Sequence, residues 1–222
     1  MTVLTAWLKT FAHRVLTPRK HMQSTFAPFY AENRWGDAES VSGPGSNLER
    51  TAKLRSELPL LLEELGARTL LDAPCGDFNW MKNTALNLEQ YTGADIVPEL
   101  IARNQSLYGN ERTRFVFLDI TRDKLPRADV ILCRDCLIHF SNKHVAAAIR
   151  NFKRSGSTYL LTNTYPRWSR NENIRTGDFR YINLLASPFN LPPPIRQIEE
   201  KIPEERERFF GKTLALWKLA DL

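Results

Sequence analysis

Between Arg68 and Tyr165 short apolar runs recur, separated by stretches with helical periodicity. The runs are TLLDAP, YTGADI, RFVFLDI, ADVILC and STYLLTNTY. They are almost continuously apolar and do not alternate, as in strands whose two faces are both covered by helices. The stretches between them predict helices near Asn79 to Leu86, from Pro98 to Leu107, and from about Asn142 to Lys153. Pro98 suits a first helical turn, where a missing N–H costs nothing. Strands alternating with helices build βαβ units and a parallel sheet. After Tyr165 the pattern breaks: residues 166–193 are polar, irregular and proline-rich. IRQIEEKI and KTLALWKL then predict two strands joined by a charged connection. The expected fold class is α/β, a mostly parallel seven-stranded sheet closed by a terminal antiparallel hairpin, with helices on both faces.

The first part of the chain reads differently. Trp7, Phe11 and Val15 recur at four-residue spacing, predicting an amphipathic helix over residues 1–17 that docks on the protein's own body or on a partner, or lies against a membrane surface. Lys9, His13 and Arg14 interrupt its apolar positions, so it does not read as a signal peptide. No apolar run approaches the ~20 residues that span a bilayer. Residues 18–47, with Pro28, Gly36, Gly43, Pro44 and Gly45, read mainly as loop. Ser46 or Asn47 is an N-cap candidate for a helix through Leu65, with Gly66 as its stop and Pro59 as a point of kinking or splitting. The expected organisation is residues 1–47 as helix and covering loop, then one domain over 48–222, with 166–193 as a substrate-binding insertion.

Charge and cysteines narrow the function. The net charge is +6, from 31 basic and 25 acidic residues, without a Lys/Arg block or a basic stripe interleaved with aromatics, which argues against nucleic acid as the partner. Three cysteines make no disulfide framework and point to a reducing, cytoplasmic setting. Cys133 and Cys136 have the spacing of a redox pair or of two metal ligands, yet no second cysteine pair or nearby histidine pair completes a metal site. Within ILCRDCLIHF they read as small buried hydrophobes, and no metal is expected.

The chemistry gathers at the strand ends, where open α/β sheets bind ligands. The first strand ends in Asp72, the second in Asp95, the third in Asp119 and the fourth in Arg134-Asp135, while the fifth ends near Asn163-Thr164. A single such aspartate is readily a helix cap; four at one rim ask for a ligand. Gly76 in the first turn lets backbone approach that ligand closely. Asp95 follows Asp72 at close to the ~20-residue offset of a ribose-binding carboxylate, and an acid after the third strand suits an adenine amino group. The set fits an adenosine-containing cofactor.

On these residues the sequence resembles the class I S-adenosylmethionine-dependent methyltransferases, across about residues 68–165. TLLDAPCGDF is similar to the family's first motif, YTGADI to its second, FVFLDI to its third and ADVILCRDCLIHF to its fourth. The resemblance implies a Rossmann-like fold, S-adenosylmethionine as cofactor, and its methionine part lined by Asp72, Ala73, Cys75 and Gly76. It implies the ribose on Asp95 beside Ile96, the adenine between Asp119 and Ile120, and Arg134 among the cofactor contacts. Pro74 and Phe78 stand where the first motif usually has its outer glycines. That loss weighs more against an NAD-type oxidoreductase or epimerase, whose pyrophosphate needs close backbone approach, and the chain holds no Tyr-x-x-x-Lys pair. A scaffold that binds the cofactor without turnover is the other alternative. The loop SVSGPGSNLERT, with Gly43 and Ser46, is expected to close over the methionine end, with Arg50 or Arg55 near its carboxylate and Trp35 and Trp80 alongside.

Methyl transfer to oxygen needs a general base, and Asp135 and His139, one helical turn apart, are the candidates. The acceptor is expected to be polar, a small molecule or glycan-linked substrate with a sugar hydroxyl, held by Asn163, Tyr165, Asn173, Asp178, Arg180 and Asn183. The oligomeric state is not legible in the sequence.

Overall fold

A computed structural model describes residues 18–200 and 211–222. The amphipathic helix expected over residues 1–17, and with it the membrane contact, lies outside the described residues. Among those described, no helix is long and apolar enough to cross a membrane.

Five parallel strands form the centre: β1 (Thr69–Asp72), β2 (Gln90–Asp95), β3 (Thr113–Phe117), β4 (Val130–Cys133) and β5 (Tyr159–Thr164). β6 (Arg196–Glu199) and β7 (Thr213–Lys218) complete the sheet in the order β3-β2-β1-β4-β5-β7-β6, with β7 antiparallel to both of its neighbours. Neighbouring residues on the central strands enter different cores. Leu71, Ile131 and Leu160 join one cluster, while Leu70, Leu132 and Leu161 join the other. These strands therefore carry apolar side chains on both faces at their centres, as their sequences predict.

Helices cover both faces. α1 (Pro18–Ala31) and α4 (Asn142–Arg154) pack on the first cluster through Met22 and through Val145, Ala148 and Phe152. α2 (Ala52–Glu64) and α3 (Pro98–Tyr108) pack on the second through Leu54, Leu58, Leu61, Leu62 and Ile101.

Four local expectations need correction. Residues 18–31 are helical, not loop: Met22 and Phe26 sit four apart and face the core, which outweighs Pro28. α2 runs unbroken through Pro59. An internal proline costs about 3 kcal/mol, whereas four buried leucines each contribute roughly 2 kcal/mol. Asn47 caps a preceding turn, its Oδ1 accepting from the Arg50 N–H at 2.9 Å, and the helix proper begins at Ala52. Gly66 does end it, with φ at +62° and Ala67 N–H donating to the Leu62 carbonyl. The helix expected over 79–86 is only a tight turn at Met81–Asn83. There the side chains of Asn83 and Thr84 donate to the carbonyls of Asn79 and Trp80, competing with helix propagation.

The segment 166–193 is packed rather than loosely solvated. Ile182 and Leu184 are fully buried. The Asn183 amide N–H groups donate to the carbonyls of Pro166 and Trp168, and Asn171 bonds across to both the N–H and the carbonyl of Asn183.

Candidate functional site

The parallel strands end at one edge of the sheet. The strand order reverses between β1 and β4, which opens a crevice at their carboxyl ends. A cavity of about 270 Å3 occupies that position. Asp72, Asp95 and Asp119 line it together with Cys75, Gly76, Ile96 and Ile120. Ala73 is fully buried behind this surface.

Local bonds hold each of the three carboxylates in place. Asp95 accepts from the N–H groups of Gly76 at 3.2 Å and Val97 at 3.1 Å. Asp72 accepts from the Tyr91 hydroxyl at 2.6 Å. Oδ1 of Asp119 accepts from the N–H and hydroxyl of Thr121. Its buried Oδ2 meets no hydrogen-bond donor, only the Arg122 guanidinium at 3.3 Å. Burial pushes the Asp72 carboxyl up to about 7 against the pull of the Tyr91 hydroxyl. Burial likewise lifts Asp95 to about 6 against its backbone amides. Both are acceptors whose full charge calls for a donor-bearing or cationic ligand.

The turn after β1 is fixed on both sides. Gly76 has φ at +54°, and a Cβ there would lie 2.3 Å from Ser42 Oγ. Its carbonyl accepts from Asn104 Nδ2 at 2.8 Å. The next residue, Asp77, latches the covering loop: it accepts from the Ser40 hydroxyl, the Val41 N–H and the Ser42 hydroxyl. Gly43 and Ser46 thereby line the cavity. Gly43 has φ at +89° and lies so close to Trp35 that a Cβ would sit 2.8 Å from the Trp35 Cβ. Arg50 and Trp80 also line the cavity, while Arg55 donates to the Leu48 carbonyl and stays outside the lining.

Beyond β4 stands a buried cluster of four charges. Arg134 donates to the Gly45 carbonyl at 2.8 Å and pairs with Glu200 at 2.6 Å and Asp135 at 3.2 Å. Lys212 pairs with Asp135 at 2.8 Å and with Glu200 at 3.5 Å. Asn163 bridges the cluster, accepting from the Asp135 N–H and donating to Glu200. Burial opposes the charge on Asp135, but Arg134 and Lys212 overcome it and hold the carboxyl at about 2. A carboxylate of that acidity is a poor proton acceptor at neutral pH.

His139 has the opposite character. Its ring lies 6.0 Å from Trp35 and 5.9 Å from Phe179, and all three line the cavity. Burial lowers its pKa from the ordinary value, only partly offset by the Asp178 carbonyl and the Asp135 charge. The imidazole is therefore neutral at pH 7. Nδ1 lies 3.0 Å from the Asp178 carbonyl oxygen. A carbonyl only accepts, so Nδ1 carries the proton and Nε2 keeps its lone pair.

Of the residues expected to hold the acceptor, Tyr165 lines the cavity and Asn163 lies behind it in the charge cluster. Asn173, Asp178, Arg180 and Asn183 are outside the lining. Asn173 caps the Asn142 N–H, the Asp178 carbonyl holds His139, and Arg180 and Asn183 bond to main-chain carbonyls nearby. Sequence reasoning did not single out Asp77, Asn104, Glu200 or Lys212, nor the cavity-facing Met22, Phe26 and Tyr30 of α1. For α1 the signal was present in the four-residue spacing of Met22 and Phe26. For the charged pair it was absent, because Glu200 and Lys212 meet Arg134 only through the terminal hairpin. The three cysteines are free buried thiols.

Comparison with known proteins agrees with this geometry. Residues 71–157 match the sequence model of a family described as a methyltransferase domain. No curated protein matches the chain. Among solved structures, an N-methyltransferase from Bradyrhizobium japonicum WM9 in complex with S-adenosylhomocysteine is similar at TM-score 0.60 and 15% identity, over 86% of this chain and 97% of that one. A magnesium protoporphyrin IX methyltransferase from Synechocystis PCC 6803 with the same bound product has TM-score 0.58 and 14% identity, over 90% and 97%. The 1,6-didemethyltoxoflavin-N1-methyltransferase of Burkholderia thailandensis has TM-score 0.57 and 17% identity, over 92% and 91%. At such identities the likeness is one of fold. The fold is the Rossmann-like fold of class I methyltransferases, and residues 71–157 are similar in sequence to a methyltransferase domain.

Proposed function

We propose that the enzyme methylates an ionisable O–H or N–H on a small acceptor with a flat, largely apolar body, with His139 as general base. The observation that carries this reading is the setting of His139: neutral, between Trp35 and Phe179, its Nδ1 bonded to the Asp178 carbonyl. Phe26, Tyr30 and Phe140 extend the same aromatic wall, and aromatic faces favour stacking on a flat partner. The expected sugar hydroxyl loses its support, because the side chains meant to hold it bond within their own segment. The structural neighbours are named for acceptors as different as magnesium protoporphyrin IX and 1,6-didemethyltoxoflavin. The acceptor is therefore argued from this cavity alone.

Bound S-adenosylmethionine supplies the electrophile, a methyl group on a cationic sulfur that departs as a neutral thioether. Asp95 is assigned to the ribose hydroxyls, and Oδ2 of Asp119, which accepts no hydrogen bond, to the adenine amino group with Ile120 beside the ring. Asp72, Cys75 and Gly76 are assigned to the methionine end, under Gly43 and Ser46. Arg134 is assigned to holding the Gly45 carbonyl and the Asp135 carboxylate. The acceptor proton passes to Nε2 of His139, and the imidazolium returns it to solvent. Asp135 stays ionised throughout and stabilises that imidazolium by its charge.

Transfer of a radiolabelled methyl group to hydroxyquinolines and hydroxycoumarins, compared with methyl hexosides, tests the proposal. Labelling of the flat acceptors that is lost in His139→Gln supports it. Labelling of the hexosides alone overturns it.

A further inference from the structure

The segment after β5 supports His139 from behind. Gly177 N–H donates to the His139 carbonyl at 2.9 Å, and Arg180 N–H donates to the Ile138 carbonyl at 3.0 Å. Ser141 N–H donates to the Thr176 hydroxyl at 3.0 Å. Two strips of chain, 138–142 and 173–180, are thereby laced together, and the Asp178 carbonyl arrives at Nδ1 as a result. Arg180 fastens the lacing. Its guanidinium donates to the Phe140 carbonyl at 2.9 Å, to Asn142 Oδ1 and to the Glu172 carbonyl, so that one cation joins both strips. The side chain is buried, only 7% exposed, with Phe189 against it at 5.6 Å. Burying a guanidinium is costly unless its donors are used; here Nη1 and Nη2 serve two main-chain oxygens and the Asn142 amide oxygen around the histidine, while Nε has no hydrogen-bond partner.

We infer that Arg180 is a positioning residue: by locking the 138–142 turn to the Asp178 carbonyl, it fixes His139 as the Nδ1–H tautomer and keeps Nε2 free to take a proton. This rests on the base role given to His139 above. Which ring nitrogen is protonated follows from the hydrogen bond that the other nitrogen's partner imposes. Losing the lacing removes the carbonyl and with it the preference.

Long-range proton–nitrogen correlation spectra of histidine-labelled protein, saturated with S-adenosylhomocysteine, read the tautomer without any acceptor. The chain has four histidines, and the signal missing in His139→Gln assigns His139. The wild type is expected to show Nδ1–H. Arg180→Met is expected to move His139 to a mixture or to Nε2–H while it still binds S-adenosylhomocysteine, and Arg180→Lys to restore part of the wild-type pattern. A wild-type His139 signal in a folded Arg180→Met variant overturns the inference, and so does Nε2–H in the wild type, which needs no variant to fold. Unimpaired methyl transfer in His139→Gln overturns the base assignment separately, whatever the spectra show.

Discussion

The two halves of the cavity are built in different ways. On the side proposed for the cofactor, Asp72 and Asp95 stand at the ends of adjacent hydrogen-bonded strands, and Asp119 follows the third. Their separation is set by sheet geometry, and each is braced by backbone amides or by a hydroxyl within a few residues or one strand away. On the side proposed for the acceptor, Trp35, His139 and Phe179 come from three stretches of chain joined by packing and by the lacing of 138–142 to 173–180. The first half is a property of the sheet. The second is a property of what has been hung on it. Chemistry placed by strand register is rigid and recurs across acceptors, while chemistry placed by connecting segments is free to differ.

If the halves are independent, damage to one should spare the other. The largest effect is expected for His139→Gln, with single-turnover methyl transfer slowed roughly 100- to 10,000-fold and S-adenosylhomocysteine affinity nearly unchanged by calorimetry. In the wild type the rate should rise with pH through a value below 6.5, because only the neutral imidazole accepts a proton, and be flat above it. A flat profile down to pH 5 would break the assignment. Asp135→Asn should act on folding. Removing one member of the buried charge cluster leaves Lys212 and Arg134 short of a partner, costing about 3 kcal/mol and lowering the thermal midpoint by roughly 6–12 °C, while the pH limb of the rate survives.

Asp95→Ala is expected to weaken S-adenosylhomocysteine binding roughly 10- to 100-fold, the loss of hydrogen bonds to a charged acceptor. Unchanged affinity in a folded variant would sink the ribose assignment. The smallest effect sharpens the comparison. Asp72 at about 7 and Asp95 at about 6 both lie above their ordinary value of 3.8. They are partly protonated near neutrality and become better acceptors as the proton leaves. Affinity for the cofactor product should climb up to about tenfold per group between pH 5.5 and 8. The same raised values favour the protonated folded state. Their contribution to stability is full below about pH 4 and is lost as the pH rises through 6 and 7. Melting of the empty protein should therefore move down over the window in which binding moves up.

What could be read from the sequence follows the same division. The continuous apolar runs announced the central strands, and their terminal aspartates announced the rim, because a short buried strand leaves few choices of register. α1 went unread because Pro28 outweighed the spacing of Met22 and Phe26. The expected helix after Asn79 gave way to side chains that bond to their own backbone. The asparagines and arginine after β5 were recognised as important but given the wrong neighbours: Arg180 and Asn183 face carbonyls of the chain itself. A polar residue in an irregular segment carries no mark of whether it faces a ligand or the fold. Glu200 and Lys212 needed the terminal hairpin to bring them to Arg134, a contact that no local pattern encodes.

The latch at Asp77 has a thermodynamic consequence. Its bonds to Ser40, Val41 and Ser42 are made within the chain itself and need no ligand to complete them. The loop has little freedom left to surrender on binding, so the ordering penalty that weakens association with mobile segments is largely absent. Calorimetric titrations should then show only a small entropic cost, and Ser42→Ala should make it larger.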